Sequence, residues 1–230
     1  MIRQSAGKSY AYILGVYLGD GCISNTVTSA DSQNKRTFRL NTIDEDFALA
    51  TKEALIDLGA VIVPIRKHDV KNGRPNHALQ CVVDDFGITL QSDTFNKTVI
   101  PRYVLEWSRE NKLAFITGLM DSEGFVAANS GNPTNRRYYM GFKSTDVWVA
   151  DFVRILESVG IKVGVVSTEE PRQPHYRRPT RFTIKMQSWI DSGAKFNIAR
   201  KQNRVDAWAA IGAYEQRSRH PRRLSSETNM

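Results

Sequence analysis

The chain has 230 residues and is 41% hydrophobic, which is enough for the core of one large domain or of two smaller ones. Its 32 lysines and arginines outnumber its 24 aspartates and glutamates, so the net charge of +8 favours a polyanionic partner over a charge that only aids solubility. No apolar run approaches the roughly 18 residues of a membrane span, and the N-terminal residues lack a signal-peptide core, so we expect an intracellular protein with no membrane partner.

The first predicted element is an apolar helix with small residues that ends in an acid, Asp20, followed by a glycine. After it, alternating apolar residues predict strands at 22–30 and 36–42, and a capped helix is predicted over 44–58 with Gly59 as its C-terminal stop. Two more strands follow, one with Val61, Val63 and Ile65 and one with Leu79, Cys81 and Val83. The first half therefore reads helix, two strands, helix, two strands.

The second half repeats this order. It also begins with an apolar helix that ends in an acid and a glycine, here Glu123 and Gly124, and Gly160 stands where the first half has Gly59. This repetition indicates a duplication. The remaining predicted elements are strands at 125–128 and 137–143, a helix at 146–159, strands at 161–168 and 180–186, and a closing helix at 204–216.

We therefore expect an α+β fold of two pseudo-symmetric halves. The predicted divisions are an N-terminal half at 1–95, a connector at 96–108, a C-terminal half at 109–216 and a basic, disordered tail at 217–230.

Small residues mark one face of each acid-ending helix. Gly15 and Gly19 are four residues apart in the first, as are Gly118 and Ser122 in the second, so each pair lies on one helical face. Two such faces can pack with their backbones unusually close. The packing would bring Asp20 and Glu123 together near a pseudo-twofold axis as a divalent-metal site, although a single acid and glycine at a helix end is more often a simple stop.

Polar side chains alternate with the core residues on the predicted strands. A face that mixes guanidinium, amide and hydroxyl groups can hydrogen-bond base edges and phosphates, and its repetition in both halves favours this over a merely solvated face. The residues on it are Thr37, Arg39, Asn41, Arg66, His68 and Gln80 in the first half, and Arg137, Tyr139, Lys143, Arg181, Thr183 and Lys185 in the second.

Three segments carry a resemblance to a known family: ILGVYLGDG at 13–21, ITGLMDSEG at 116–124 and the lead-in NKTVIP at 96–101. On these residues the chain resembles the LAGLIDADG homing endonucleases, specifically the single-chain type in which two αββαββ halves are fused, over residues 8–216. The resemblance implies a saddle of two antiparallel sheets that straddles double-stranded DNA, with the motif helices packed at its centre. It further implies cleavage of both strands across the minor groove to leave short 3′ overhangs.

The resemblance also implies roles for individual residues. Carboxylates at the eighth motif place bind the cations, which suits Mg²⁺, or Mn²⁺ or Ca²⁺ in the same site, because these ions prefer oxygen ligands. The first motif departs from the family name at its sixth place, where it has Leu18 and the second has Asp121, but that place is not the metal ligand. The implied metal site is Asp20 and Glu123 with Gly19 and Ser122, the implied active-site lysines are Lys97 and Lys201, and the implied water-ordering residues are Asn41 and Lys143.

Three functions stay open on this basis. The first is a monomeric, Mg²⁺-dependent homing endonuclease for a long, nearly non-palindromic DNA site, since unlike fused halves need no symmetric target. The second is an intron-encoded RNA maturase, and the third is a non-cleaving DNA-binding regulator on the same fold.

The two cysteines, Cys22 and Cys81, have no metal-ligand spacing and are predicted to be buried thiols in a reducing compartment.

Overall fold

The computed structural model describes residues 7–27, 34–60, 63–69, 75–82, 97, 99–128, 138–145, 148–169 and 179–218. The fold is α+β, with two four-stranded antiparallel sheets, as expected from the repeated element order. None of the helices in these ranges is both long and apolar enough to span a membrane.

The N-terminal half forms one sheet with strand order β1-β2-β4-β3. Helix α1 precedes it in the chain, and α2 lies between its second and third strands, where it contacts β2 and β4. The elements are α1 (Lys8–Leu18), β1 (Cys22–Val27), β2 (Asn34–Thr42), α2 (Glu45–Asp57), β3 (Ile65–Asp69) and β4 (Pro75–Val82).

The C-terminal half has the same topology, with strand order β5-β6-β8-β7. A 3₁₀ turn at Arg102–Glu106 leads into it, and two helices follow its sheet. The elements are α3 (Arg109–Glu123), β5 (Gly124–Ala128), β6 (Tyr138–Thr145), α4 (Val149–Ser158), β7 (Val163–Thr168), β8 (Pro179–Ile184), α5 (Met186–Ser192) and α6 (Ala199–Ser218).

Helices α1 and α3 pack along their small residues, as the sequence predicted. A Cβ atom added to Gly15 would overlap the carbonyl oxygen of Phe115, and one added to Gly118 would overlap the carbonyl oxygen of Tyr12. Only glycine allows the two backbones to approach this closely. The pairing is the central contact between the halves, and it sets where the ends of both helices lie.

Each sheet buries one face against a helix. In the C-terminal half the Phe142 ring lies 4.8 Å from Phe152 of α4 and 5.3 Å from Phe182 of β8, measured between ring centroids. In the N-terminal half Phe38 and Leu40 of β2 are buried in the same way. Because side chains alternate along a strand, the residues between these point to the opposite face.

Both covering helices end in the same turn. The Ala60 N–H donates to the Leu55 carbonyl and the Ile161 N–H donates to the Leu156 carbonyl, each over 3.0 Å. The intervening glycines have φ of +103° and +86°, which L side chains rarely adopt. The prediction that Gly59 and Gly160 end these helices is confirmed.

Several predicted boundaries are wrong. The third strand begins at Ile65, because Val63 is already buried outside the sheet, and β7 likewise begins at Val163 after the buried Ile161. The eighth strand ends at Ile184, because Met186 opens the short helix α5, which the sequence did not predict. Helix α4 begins at Val149, three residues later than predicted.

The chain ends also differ from expectation. Helix α6 is longer than predicted, at Ala199–Ser218, and so includes the first two residues of the predicted tail.

Cys22 is exposed and not buried, because it follows the helix end at the start of an edge strand, whereas Cys81 is buried as expected. The predictions for 28–30, 61–62, Val83, Arg137 and 219–230 lie outside the described residues.

Candidate functional site

The two motif acids lie side by side at the ends of α1 and α3. Asp20 follows the C-cap of α1, Gly19, and Glu123 is the last residue of α3. A Cβ atom added to Gly19 would overlap the Ser122 side chain and would lie 3.4 Å from Cγ of Glu123. The small residues at positions 19 and 122 therefore let the two helix ends, and with them the two carboxylates, come together.

The electrostatics of these acids reflect their closeness. Loss of hydration raises the pKa of both carboxyls, and the Asp20 charge raises the pKa of Glu123 further, while the ammonium groups of Lys97 and Lys201 lower both pKa values. Within the described part of the chain no group donates a hydrogen bond to either carboxylate. Two adjacent, unbonded carboxylates are suited to share a cation.

The donor set fits a magnesium-type ion. No group of three histidine, cysteine or acidic side chains forms a metal cluster among the described residues, so a bound ion would have the two carboxylates as its acidic ligands. Mg²⁺ characteristically binds one or two carboxylates and takes its other ligands from water and substrate phosphates. Zinc is less suited, because its sites use histidine and cysteine nitrogen and sulfur atoms.

Lys97 is held at the end of α1. Its Nζ donates a hydrogen bond of 2.5 Å to the carbonyl oxygen of Gly19, and its own carbonyl accepts a 3.2 Å hydrogen bond from Nε1 of Trp148. Its φ is +52°, the left-handed region that costs a non-glycine residue free energy. Burial lowers the pKa of Lys97, and Cys22, Glu123 and Asp20 act in the opposite direction.

Lys201 occupies the corresponding place at the end of α3. It is only 3% exposed, and its Nζ donates to the carbonyl oxygens of Asp121 at 2.5 Å and Met120 at 3.0 Å. Burial lowers the pKa of Lys201, while the nearby Asp121 carboxylate opposes that shift. Each predicted lysine thus binds backbone carbonyl oxygen at the C-terminal end of one motif helix, where a cation is favourable.

The Asp121 side chain, at the sixth motif place, has a structural role that the sequence did not reveal. It is 1% exposed and accepts hydrogen bonds from the Tyr12 hydroxyl at 3.2 Å and the Asn197 N–H at 3.1 Å. Burial raises the pKa of Asp121, and Lys201 lowers it. The carboxylate joins α1, α3 and the segment before α6, and only the tertiary contacts identify its partners.

A second missed feature fixes α6 to the N-terminal half. Arg200 makes a bidentate ion pair with Asp44, with Nε–Oδ1 at 2.6 Å and Nη2–Oδ2 at 2.7 Å. Asp46 accepts a 2.5 Å hydrogen bond from the N–H of Ala199, the first residue of α6. The sequence predicted a capped helix that begins at position 44, but the Asp44 side chain makes no cap hydrogen bond, and its carboxylate instead positions the helix that carries Lys201.

The structure does not connect the other two predicted site residues to the acids. Asn41 is exposed on β2, and Lys143 is in an ion pair with Glu169, with Nζ–Oε2 at 2.6 Å. Neither makes a hydrogen bond or ion pair with Asp20 or Glu123 in the described part of the chain.

Predicted contact residues of the N-terminal half converge on one cavity of about 400 Å³ on the uncovered sheet face. Nε of Arg39 is buried there and has no partner within the described residues. Thr37 is different, because its side chain is only 1% exposed and so is not available at the surface. The predicted residues that line the cavity are Arg39, Asn41, Arg66, His68 and Gln80.

The uncovered face of the C-terminal sheet is built around Arg181. Its guanidinium carbon lies 4.9 Å from the Phe125 ring centroid and 5.8 Å from that of Tyr139, and the two rings meet edge to face at 5.9 Å. This cation–π packing holds the guanidinium on the surface. Thr183 lies on the same strand face, and Lys185 is exposed just after the strand.

Searches by sequence found no matching family model and no matching curated protein. The fold, however, matches solved structures over most of the chain. A K262A mutant of I-SmaMI aligns with a TM-score of 0.56 and 10% identity, covering 92% of this chain and 93% of that one. The meganuclease I-AabMI bound to uncleaved DNA aligns with a TM-score of 0.52 and 10% identity, again covering 92% and 93%.

A mesophilic variant of the homing endonuclease I-DmoI aligns with a TM-score of 0.52 and 14% identity over 83% of this chain and 94% of that one. I-DmoI has also been solved in complex with DNA and Ca, and with DNA and Mn. The chain has the LAGLIDADG homing endonuclease fold. In this fold the two motif helices are α1 and α3, and the residues at their eighth motif places are Asp20 and Glu123.

Proposed function

We propose that this protein is a sequence-specific homing endonuclease that hydrolyses one phosphodiester bond in each strand of double-stranded DNA with the help of divalent metal ions, leaving short 3′ overhangs. The observation that supports this most directly is the pair of adjacent carboxylates, Asp20 and Glu123, at the meeting point of α1 and α3. A face rich in hydrogen-bond donors lies on the sheet of each half. Such a face can hold a duplex with its backbone over the acids.

Asp20 and Glu123 would hold the cations, with Mg²⁺ as the physiological ion and Mn²⁺ or Ca²⁺ as substitutes. The preceding residues, Gly19 and Ser122, contribute by their small size, which brings the carboxylates together. A bound divalent cation supplies positive charge to phosphate oxygens and lowers the pKa of water. The chain's own part is to hold the two carboxylates next to each other and close to the ammonium groups of Lys97 and Lys201.

Lys97 and Lys201 would place positive charge beside the reacting phosphates. Their ammonium groups are held at the helix ends next to the acids, so they need no reorganisation when charge develops on the phosphate. Asn41 and Lys143 would order water near the reacting groups, which for Lys143 requires release from Glu169.

The two halves would read different DNA sequences. The N-terminal face offers Arg39, Arg66, His68 and Gln80, while the C-terminal face offers Tyr139, Arg181, Thr183 and Lys185 beside an aromatic ring, with Arg137 as a further candidate outside the described residues. Unlike halves fused in one chain match a site without twofold symmetry. We therefore propose a monomer that binds a long, nearly non-palindromic target.

A cleavage selection tests the function. The purified protein is incubated with a randomised DNA duplex library and Mg²⁺, and the cut ends are sequenced. The proposal expects one long, asymmetric consensus cut on both strands only when the metal is present. Tight binding without any cutting would indicate a regulator, and binding to folded RNA without DNA cleavage would indicate a maturase.

A further inference from the structure

Strand β7 carries an irregularity next to the proposed DNA-reading face. Its partner residues on β8 are Ile184 for Val163 and Phe182 for Val166. Two residues of β7, Gly164 and Val165, therefore lie opposite the single residue Thr183. This is the arrangement of a β-bulge, which locally redirects side chains and is frequent near functional sites.

The bulge places Val165 on the uncovered face of the sheet. Ile184 and Phe182 are buried against the core, so Thr183 between them lies on the opposite face, as does Arg181. Val166 is the partner of the buried Phe182, so Val165 before it points to the Thr183 side. Gly164 makes this possible, because a Cβ atom there would overlap Oγ1 of Thr183.

Val165 also lies outside the hydrophobic core. The residue is 76% exposed, the highest value among the exposed large hydrophobic residues in the described part of the chain. An isopropyl group in water contributes nothing to the core, and it stands in a row of hydrogen-bonding groups that includes Ser167, Arg181 and Thr183. A small apolar group among polar ones can contact one methyl group of an otherwise polar ligand.

Thymine is the base that offers such a group. Its C5 methyl projects into the major groove, where a β-sheet can enter and where apolar side chains distinguish it from cytosine. Resting on the proposed DNA-binding function, we infer that Val165 reads a thymine methyl group within the half-site bound by the C-terminal half. The residue determines specificity and takes no part in the cleavage chemistry.

A second copy of the chain is the rival occupant, because β7 is an edge strand and exposed edges invite pairing. Two features favour DNA. The bulge interrupts the regular ladder that strand pairing needs, and each copy carries a charge of +8, so that the faces around Arg181 would repel one another.

The test uses deoxyuridine, which differs from thymidine in DNA only by the missing methyl group. In the selected target, each thymine of the half-site bound by the C-terminal half is replaced by uracil in turn, and affinity is measured in EDTA so that no DNA is cut. The affinity of the wild-type protein should fall about three- to tenfold when the thymine at one position is replaced. Val165→Ala should bind the thymine and uracil versions of that position equally.

Val166→Ala is the matched control, since Val166 is also exposed, at 52%, but on the covered side of the sheet. It should keep the wild-type preference for thymine. The inference is overturned if wild-type protein binds DNA but tolerates every uracil, if Val165→Ala keeps the full penalty, or if the selected half-site contains no thymine. A concentration-dependent dimer that Val165→Ala abolishes would also overturn it. Absence of any DNA binding would instead reject the proposed function itself.

Discussion

At the scale of single residues, the candidate site is a balance of two acids and two lysines. Burial works against the charged form of all four, and proximity of opposite charges works for it. Neither lysine forms a direct ion pair with Asp20 or Glu123, because each is bonded to helix-end carbonyls. The acids therefore keep their oxygens available while the surrounding charge is partly neutralised.

The acids themselves give the sharpest prediction. Asp20→Asn and Glu123→Gln should each reduce double-strand cleavage more than about a hundredfold, since even outer partners of metal ligands are worth about 10- to 100-fold. Binding should stay within about tenfold, because the sheet faces are untouched. Glu110→Gln is the control, as Glu110 is exposed and forms a surface ion pair with Lys8. Undiminished cutting by either acid variant would refute the metal assignment.

The raised pKa values give a pH prediction. Protons and cations compete for Asp20 and Glu123, so cleavage should fall as pH falls, and the fall should start above the ordinary carboxyl values of 3.8 and 4.5. Cleavage rates are measured across pH at several Mg²⁺ concentrations, with circular dichroism to confirm that the protein stays folded. More Mg²⁺ should move the profile to lower pH. A profile that does not respond to Mg²⁺ would assign the titration to other groups.

At the scale of elements, the packing of α1 on α3 decides the site. The two helix ends are adjacent because three glycines leave room at the contact. Gly15 and Gly118 leave room for the backbone of the opposite helix, and Gly19 leaves room for the Ser122 side chain. The ends of the helices are then held by bonds from distant parts of the chain, through Lys97 for α1 and Lys201 for α3. Asp46 and Asp44 in turn fix the N-terminus of α6, which carries Lys201.

Substitution of the helix glycines tests this packing. Gly15→Ala or Gly118→Ala should lower the free energy of unfolding by about 1–3 kcal/mol or more, because the added methyl overlaps backbone that cannot move aside. Urea denaturation monitored by circular dichroism measures this change. Gly7→Ala is the control, since nothing lies within 4 Å of a Cβ atom there, and it should cost less than about 1 kcal/mol. Equal effects at Gly7 and Gly118 would contradict the close approach.

At the scale of the whole molecule, a basic protein presents two different polar sheet faces around a common pair of acids. The net charge of +8 makes association with a polyanion favourable at long range, whereas the unlike faces provide discrimination. The covering helices α2 and α4 lie on the other side of the sheets, so their charges face away from the proposed duplex.

The salt dependence of DNA binding tests the contribution of charge to this association. DNA affinity should fall steeply as salt rises, because several phosphate contacts release counterions, and Arg66→Gln should reduce the slope by about one if Arg66 contacts a phosphate. Fluorescence anisotropy with labelled target DNA gives the slope. Arg154→Gln is the control, because Arg154 is exposed on α4, away from the uncovered face. A flat response in the wild type would argue that DNA is not the partner.

The element order, the α+β class and the meeting of Asp20 with Glu123 could all be inferred from sequence, because they depend on short-range periodicity and on a motif that occurs twice. Strand boundaries such as those of β3 and β7 could not, since burial of Val63 and Ile161 outside the sheet depends on what packs over them. The short helix α5 was missed for the same reason, because Met186 continues the period-two spacing of the buried strand residues Phe182 and Ile184.

By itself the sequence determined a duplicated fold with two acids at its centre, because local patterns and the repeated motif depend on residues that are close together in the sequence. The tertiary structure alone decided how the acids are supported. The bonds from Lys97 to Gly19, from Lys201 to Asp121 and from Arg200 to Asp44 join residues 78 to 156 positions apart. The burial of Thr37 and the bulge at Val165 likewise depend on pairing between strands. Contacts between residues so far apart in the sequence form only when the whole chain has packed, so no local sequence pattern predicts them.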